Sequence, residues 1–159
     1  MDQKTLKEQV LYLLRGGGAH LSFDEGIEGL PPTHRAAKPS GVPHSPWRLL
    51  EHMRRTQRDI VDFVRDPGYV SPEWPAGYWP PTDGPVDDEE WEASLAAFRT
   101  DLVTVQELVA DPAADLLMPL PHAPDYTLLR EALLVADHNA YHLGELVVVR
   151  RALGVWTRS

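Results

Sequence analysis

Apolar residues recur at steps of three and four along four separate stretches of the chain, and this spacing is typical of one face of an α-helix. The first stretch runs from Thr5 to Arg15 and ends at three consecutive glycines, residues 16–18, which stop a helix. The second begins at Ser45-Pro46, where Ser caps free amide groups and Pro suits the first helical position. It ends near Arg65, so the pattern predicts two long helices in the first half of the chain.

Two more helices are predicted in the second half. Four acidic residues at 87–90 suit the positive end of a helix dipole, and the apolar stripe that follows them is closed by Asp111-Pro112. The last helix begins after Thr127, a good N-cap, and it ends before Gly154 with two arginines in its final turns. Start and stop signals therefore agree with the helical period, and the pattern predicts four main helices.

The connections between these helices are long, and several are rich in proline. A capping box at Ser22 and Glu25 predicts a short additional helix over residues 22–30, followed by a loop over 31–44. Residues 66–86 hold six prolines and four aromatic side chains, so they cannot form a helix, yet they are too aromatic for a plain flexible linker. No segment alternates with the period of two that a strand needs. The predicted fold is an all-α four-helix bundle with long Pro-rich connections and a short extra helix.

Composition narrows the class of protein. The chain has 159 residues, 43% of them hydrophobic and 25% charged, which is typical of one globular domain spanning residues 1–159. With 24 acidic and 15 basic residues the net charge is -9, which opposes nucleic acid as a partner. No cysteine is present, so a tight metal site would have to use His and carboxylate ligands. The first apolar stretch is too short for a secretion signal and no segment is an uninterrupted membrane span, so we expect a cytoplasmic protein without a membrane partner.

Two histidines lie four residues apart inside the long apolar run of the last helix. His138 and His142, in the segment DHNAYHLGE (137–145), share one helix face, so both rings can reach one ion. Helical-wheel positions place His52 in the apolar stripe of the second helix and place the other two in that of the last helix. A buried imidazole without a partner is costly, so each ring needs a partner. Spacing alone leaves two alternatives open: metal ligation, or hydrogen bonds to backbone or buried water.

Two segments of the chain resemble the DinB-like superfamily of the DinB/YfiT type: HSPWRLLEHMRRTQRDIVDF and LLREALLVADHNAYHLGELVVVRRALG. The resemblance extends from Thr5 to Trp156 and includes the connection EWPAGYWPP. Proteins of this superfamily are similar four-helix bundles with one His on the second bundle helix and HxxxH on the last, and the matching positions are His52, His138 and His142. The resemblance implies a divalent metal, nickel or zinc, on three histidines and water. Members of the superfamily include thiol-dependent transferases and isomerases, proteins assigned as hydrolases, and many without a known activity. The resemblance therefore implies no single reaction.

Several further residues have two interpretations each. Glu131 and Glu145 lie near the ligand face of the last helix, either as groups that orient or complete the site or as edge charges in solvent. The remaining histidines lie among loop residues and are interpreted as solvated: His20, His34, His44 and His122. His44 and His122, which lie next to prolines, have the alternative interpretation that they border a pocket. Two interpretations are open for the aromatic residues of the Pro-rich connection, a packed loop or a lid over a binding site; these residues are Tyr69, Trp74, Tyr78 and Trp79. A basic group on the second helix is interpreted as a solvated face: Arg54, Arg55 and Arg58.

The sequence leaves two function classes open. HNAYH lacks the Glu that follows the first His in HExxH proteases, and the chain contains neither a P-loop motif nor GxSxG. The first class is a metal-dependent enzyme whose ion activates water or a low-molecular-weight thiol for attack on a small-molecule substrate, as a hydrolase or a thiol S-transferase. The second class is a non-catalytic stress or binding protein in which the metal is structural.

The last helix is apolar nearly all round, which predicts that something covers its outer side. Leu133, Leu134, Val148 and Ala152 lie away from the histidine stripe. Because a helix of this kind is normally enclosed on several sides, we expect a homodimer formed through bundle helices around a two-fold axis.

Overall fold

The computed structural model describes residues 2–157 of the chain. This part contains five α-helices and a small β-hairpin. The helices are α1 (Gln3–Arg15), α2 (Phe23–Ile27), α3 (Pro46–Arg65), α4 (Asp88–Ala110) and α5 (Leu128–Ala152). Short 3-10 turns occupy Pro32–His34 and Ala76–Tyr78, and the strands are β1 (Pro119–Leu120) and β2 (Ala123–Thr127). The four long helices pack against one another as a bundle, so the predicted all-α architecture is confirmed. Within the described residues, no helix is both long enough and apolar enough to cross a lipid bilayer.

Each long bundle helix begins where a side chain caps its free amide groups. Ser45 accepts a hydrogen bond from the amide of Arg48 at the start of α3, and Thr127 accepts one from the amide of Arg130 at the start of α5. Asp87 caps α4 in the same way. The starts of α3, α4 and α5 agree with the predicted ones, because a cap depends on the local sequence and little else. Helix α1 begins at Gln3, two residues before the predicted Thr5, because Asp2 accepts a hydrogen bond from the amide of Thr5 and caps it.

The capping box of α2 is also present, but the helix is shorter than predicted. Ser22 accepts a hydrogen bond from the amide of Glu25, and the Glu25 carboxylate accepts one from the amide of Ser22. The helix ends at Ile27 rather than at residue 30, because the chain turns at Gly29, whose φ of 70° lies in the left-handed region.

The prediction that the chain has no strands is wrong for the connection between α4 and α5. Strands β1 and β2 pair antiparallel, with Pro119 opposite Thr127 and Leu120 opposite Ala123. They are two and five residues long, and the middle of β2 is exposed. A hairpin this short buries no continuous face, so it produces no alternating pattern in the sequence.

The core consists of two apolar clusters at opposite ends of the bundle. One contains Val61 of α3 and Val135 of α5, together with residues of α1 and α4. The other contains Leu49 of α3 and Leu146 of α5, together with residues of α2 and α4. Because Val61 follows Leu49 whereas Val135 precedes Leu146, α3 and α5 run antiparallel.

Polar side chains from α3 and α5 lie between the two clusters. Gln57, which is 1% exposed, donates a hydrogen bond from Nε2 to the carbonyl of Phe98 on α4 at 2.7 Å. Its Oε1 accepts a hydrogen bond from Nδ2 of Asn139 at 2.9 Å, so the buried amide of Gln57 is satisfied. We call this level the polar layer, and its members are His52, Gln57, His138, Asn139 and His142.

A buried arginine fixes the end of α5. The guanidinium of Arg150, whose residue is 1% exposed, donates hydrogen bonds to the carbonyl oxygens of Gly26, Glu28 and Val155. Burial lowers the pKa of Arg150. Since these carbonyls belong to α2, to the turn after it and to the segment after α5, one side chain joins three parts of the chain.

Candidate metal centre

Three histidines meet in the polar layer. His52 lies on α3, and His138 and His142 lie one turn apart on α5. One ring nitrogen of each lies within 4.8 Å of the others, and Nε2 of His52 is 3.1 Å from Nε2 of His138. His52 and His142 are buried, and His138 is half-buried. The structure therefore brings together, from two helices, the three histidines that the sequence singles out.

Hydrogen bonds to groups outside the three histidines orient two of the three rings. The Nδ1–H of His52 donates to the backbone carbonyl of Tyr78 at 3.0 Å. A carbonyl only accepts, so Nε2 of His52 carries the free electron pair. The Nδ1–H of His142 donates to Oε2 of Glu145 at 3.0 Å, which leaves the other nitrogen of that ring free. Both rings are held in the tautomer whose Nε2 can bind a metal.

Burial keeps the three imidazoles neutral. It lowers the pKa of His52 to about 4, although the hydrogen bond to Tyr78 opposes this shift. Burial lowers the pKa of His138 to about 3, and charge repulsion from His142 and His52 lowers it in the same direction. Burial also lowers the pKa of His142. At neutral pH all three rings are unprotonated, and this is the form in which histidine binds metals.

The indole of Trp79 covers one side of the site. It stacks on His52 with the ring centroids 3.8 Å apart and the planes at 6°. His44 stacks on the same indole at 4.0 Å, and the guanidinium of Arg48 lies 5.6 Å from its ring centre. Trp74 of the same connection is 72% exposed. The part of the Pro-rich connection around Trp79 is therefore packed onto the histidines.

Tyr78 links His52 to a second polar group on α3. Its carbonyl accepts the hydrogen bond from His52, and its hydroxyl donates to Oδ2 of Asp59 at 3.0 Å. Asp59 lies seven residues after His52, which places both on one face of α3. Neither Asp59 nor the carbonyl of Tyr78 was predicted from the sequence. The seven-residue spacing could have indicated Asp59, but a loop carbonyl has no signal in the sequence.

The two glutamates of α5 have different surroundings. Glu145 is partly buried and accepts the hydrogen bond from His142; burial raises its pKa, while the nearby His44 opposes the rise. Glu131 is 3% exposed and pairs with Arg130, so its interpretation as an edge charge in solvent is wrong. Among the described residues, the group of nitrogens that could hold a metal includes neither carboxylate.

The other four histidines lie outside this group. His20 is exposed and His34 is half-buried. His122 is partly buried, and its Nε2–H donates to a backbone carbonyl of α3 at 2.8 Å, so it is not simply solvated. His44 is also partly buried and borders the centre through Trp79, in agreement with the alternative interpretation of this residue.

The interpretation of the α3 arginines as a solvated face needs a correction. Nε of Arg54 and Nε of Arg55 donate to the Glu51 carboxylate at 2.6 and 3.0 Å, and the Ser94 hydroxyl of α4 donates to it at 2.7 Å. Glu51 is 3% exposed. Burial raises its pKa, but these hydrogen bonds and charges outweigh burial and lower the pKa to about 2. Two of the three arginines therefore neutralise a buried carboxylate.

The positions and the chemistry of the three rings fit a divalent metal ion. Imidazole nitrogen binds zinc and nickel, and the zinc–nitrogen distance is about 2.1 Å. Two nitrogens bound at this distance in a tetrahedral site lie roughly 3.4 Å apart. The 3.1 Å between His52 and His138 is close to this separation. The three-His group could therefore hold a metal ion with small adjustments of the side chains.

The fold and the site together define a class of protein: a four-helix bundle with three inward histidines from two of its helices. Comparison of the sequence with known families supplies the family. The DinB superfamily matches residues 22–146, a range that contains all three histidines, and the chain belongs to this superfamily. No curated protein matches the chain.

Proposed function

We propose that this protein is a metal-dependent enzyme that binds a divalent ion, zinc or nickel, on His52, His138 and His142. The observation that carries the proposal is the convergence of three neutral imidazoles, with no carboxylate among the candidate ligand atoms of the described residues. A closed structural site has four protein ligands, whereas three protein ligands leave a position for water or substrate. The described ligand set therefore supports a catalytic site.

The chemistry follows from this ligand set. A divalent ion, when bound there, supplies Lewis acidity that lowers the pKa of a ligated water or thiol towards neutrality. Two reactions fit: hydrolysis of a small electrophilic substrate, and transfer of a low-molecular-weight thiol to such a substrate. Because the chain contains no cysteine, the thiol has to come from a small molecule.

Residues around the ligands would hold them in place. The Tyr78 carbonyl orients His52, and Glu145 orients His142 while its negative charge makes that imidazole a stronger ligand. Trp79 lies flat against His52 and excludes water from that side. Substrate would therefore approach the centre from a side that Trp79 does not cover.

A non-catalytic role is the second candidate function. The position of the three histidines in the bundle is the observation that supports it. The histidines join α3 to α5 between the two apolar clusters, where a bound ion would fasten the two helices together. In this case the protein would be a stress or binding protein, and the metal would contribute to its stability.

His142→Ala tests the metal site. Wild-type protein loaded with zinc or nickel and then gel-filtered should carry about one equivalent per chain, measured by elemental analysis. The variant lacks one of three ligands and should retain less than about a tenth of this, while its helical circular dichroism persists because packing stabilises the helices. His20→Ala, at an exposed histidine, is the matched control and should bind as the wild type does. Wild-type protein that carries no metal after loading would contradict the proposal.

Turnover and melting temperature separate the two candidates. The substrates are an activated aryl halide with a small thiol, and nitrophenyl esters for hydrolysis. If the ion is catalytic, His142→Ala should abolish turnover and lower the melting temperature by only a few degrees. A structural ion would instead give a sharp fall in melting temperature on metal removal and no metal-dependent turnover in the wild type.

A further inference from the structure

One face of α5 lies uncovered on the outside of the bundle. Tyr141 is 71% exposed, Val148 is 56% exposed and Leu133 is 40% exposed. These residues follow one another at steps of seven or eight, so they lie along the same side of the helix. We call this side the α5 stripe, and its members are Leu133, Asp137, Tyr141, Gly144, Val148 and Arg151.

Gly144 lies at the middle of the α5 stripe, and the monomer does not require a glycine there. A Cβ atom added to this residue would meet nothing within 4 Å. Glycine inside a helix is less favourable than alanine by about 1 kcal/mol. An exposed glycine at the centre of an apolar stripe allows the backbone of a second helix to approach closely.

The charges of the stripe are arranged symmetrically around this glycine. Asp137 lies seven residues before Gly144 and Arg151 lies seven residues after it. Each is therefore about 10.5 Å from Gly144 along the helix axis. Within residues 2–157 neither side chain forms an ion pair, although the Arg151 guanidinium lies near the ring of Trp156.

The charges of the α5 stripe are complementary to those of a second α5 helix that runs in the opposite direction. In an antiparallel pair of α5 helices that cross at Gly144, Asp137 lies opposite Arg151 of the partner subunit at both ends of the contact. A two-fold axis requires this kind of reciprocal contact. A parallel pair would instead place Asp137 beside the partner's Asp137, which is unfavourable for two chains that each carry a net charge of -9.

We propose that the α5 stripe is the interface of a homodimer in which the two α5 helices pack antiparallel around a two-fold axis at Gly144. Tyr141 of one subunit then packs against Val148 of the partner subunit. The proposed interface contains none of the three histidines, so it does not depend on the proposed metal chemistry.

Charge reversal tests both the interface and its direction. Sedimentation equilibrium should give twice the 17.8 kDa chain mass for the wild type. Asp137→Arg and Arg151→Asp each place like charges opposite one another at two points, and each should raise the dissociation constant of the dimer at least about tenfold. The double variant, which exchanges the two charges, should restore the wild-type constant. An equimolar mixture of the two single variants should form heterodimers, because both contacts then pair opposite charges.

Two valine variants provide a matched control for burial. Val148→Glu places a charge in the α5 stripe and should give a monomer with unchanged circular dichroism and metal content. Val103→Glu makes the same change at a residue of α4 that is 50% exposed, and it should leave the dimer intact. A wild-type protein that is monomeric at about 100 µM, far above a typical micromolar dissociation constant, would overturn the proposal. A dimer that survives Val148→Glu, or single charge reversals that the double variant does not rescue, would overturn it as well.

Discussion

His142 donates a hydrogen bond from Nδ1 to Glu145, which lies three residues further along α5. A carboxylate in this position strengthens the imidazole as a ligand, and loss of such a partner typically lowers metal affinity by about 10- to 100-fold. Glu145→Gln retains an acceptor oxygen but removes the charge, so it should lower affinity within this range and leave the stoichiometry unchanged. Competition against a chromophoric chelator measures the affinity, with Glu8→Gln on the exposed side of α1 as the control. Equal affinities for the two variants would show that the charge of Glu145 does not act on the site.

At this scale the sequence predicted the inward histidines but not the groups that hold them. His52, His138 and His142 lie in apolar stripes, so the helical period alone placed them in the interior. Tyr78 acts through its main-chain carbonyl, which every residue possesses. Trp79 belongs to a Pro-rich connection with no period, so its packing on His52 depends on tertiary structure.

At the scale of helices, Glu51 couples α3 to α4 because its buried carboxylate accepts hydrogen bonds from Arg54 and Ser94. Its pKa falls from an ordinary 4.5 to about 2 on folding, so the unfolded chain binds the proton more tightly. The resulting stability, about 3 kcal/mol, is present above pH 4.5 and is lost as the pH falls from 4.5 towards 2.

Glu51→Gln should therefore lower the free energy of unfolding at neutral pH and flatten its decline below pH 4.5. Urea unfolding of chelator-treated protein across this pH range measures both effects, and the difference from wild type isolates Glu51 from other titrating groups. Glu107→Gln, at an exposed residue of α4, should behave like the wild type. If the free energy of unfolding declined below pH 4.5 with the same slope in wild type and in Glu51→Gln, this account of the buried carboxylate would be refuted.

The helices were predictable and the hairpin was not, for a physical reason. A helix start such as Ser45 or Thr127 is a local event that involves a few successive residues. Strand β1 forms only by pairing with β2, and the pair is too short and too exposed to leave a pattern of burial. The early end of α2 depends on one backbone angle at Gly29, where the sequence permits a turn without requiring one.

At the scale of the whole molecule, Arg150 joins the end of α5 to α2 and to the segment that follows α5. Arg150→Met fills much of the same space but leaves three carbonyl oxygens without their donor. The variant should lower the free energy of unfolding by about 3 kcal/mol, since each buried unsatisfied group costs about 1–3 kcal/mol and water can reach some of them. Denaturant unfolding measures this loss, and Arg65→Met at the exposed end of α3 is the control. A loss below about 1 kcal/mol would contradict the proposed role of Arg150.

The polar layer also determines how α3 and α5 are aligned along their length. A slide of α5 by one helical turn, about 5.4 Å, would bring one set of leucines and valines against another and change the apolar packing little. The same slide would place His52 against apolar side chains and separate Gln57 from Asn139, so that buried polar groups would lose their partners. A buried polar position selects one alignment of a coiled coil in this way. The histidines proposed to bind an ion, together with Gln57 and Asn139, therefore also exclude the misaligned bundles that hydrophobic packing alone would tolerate.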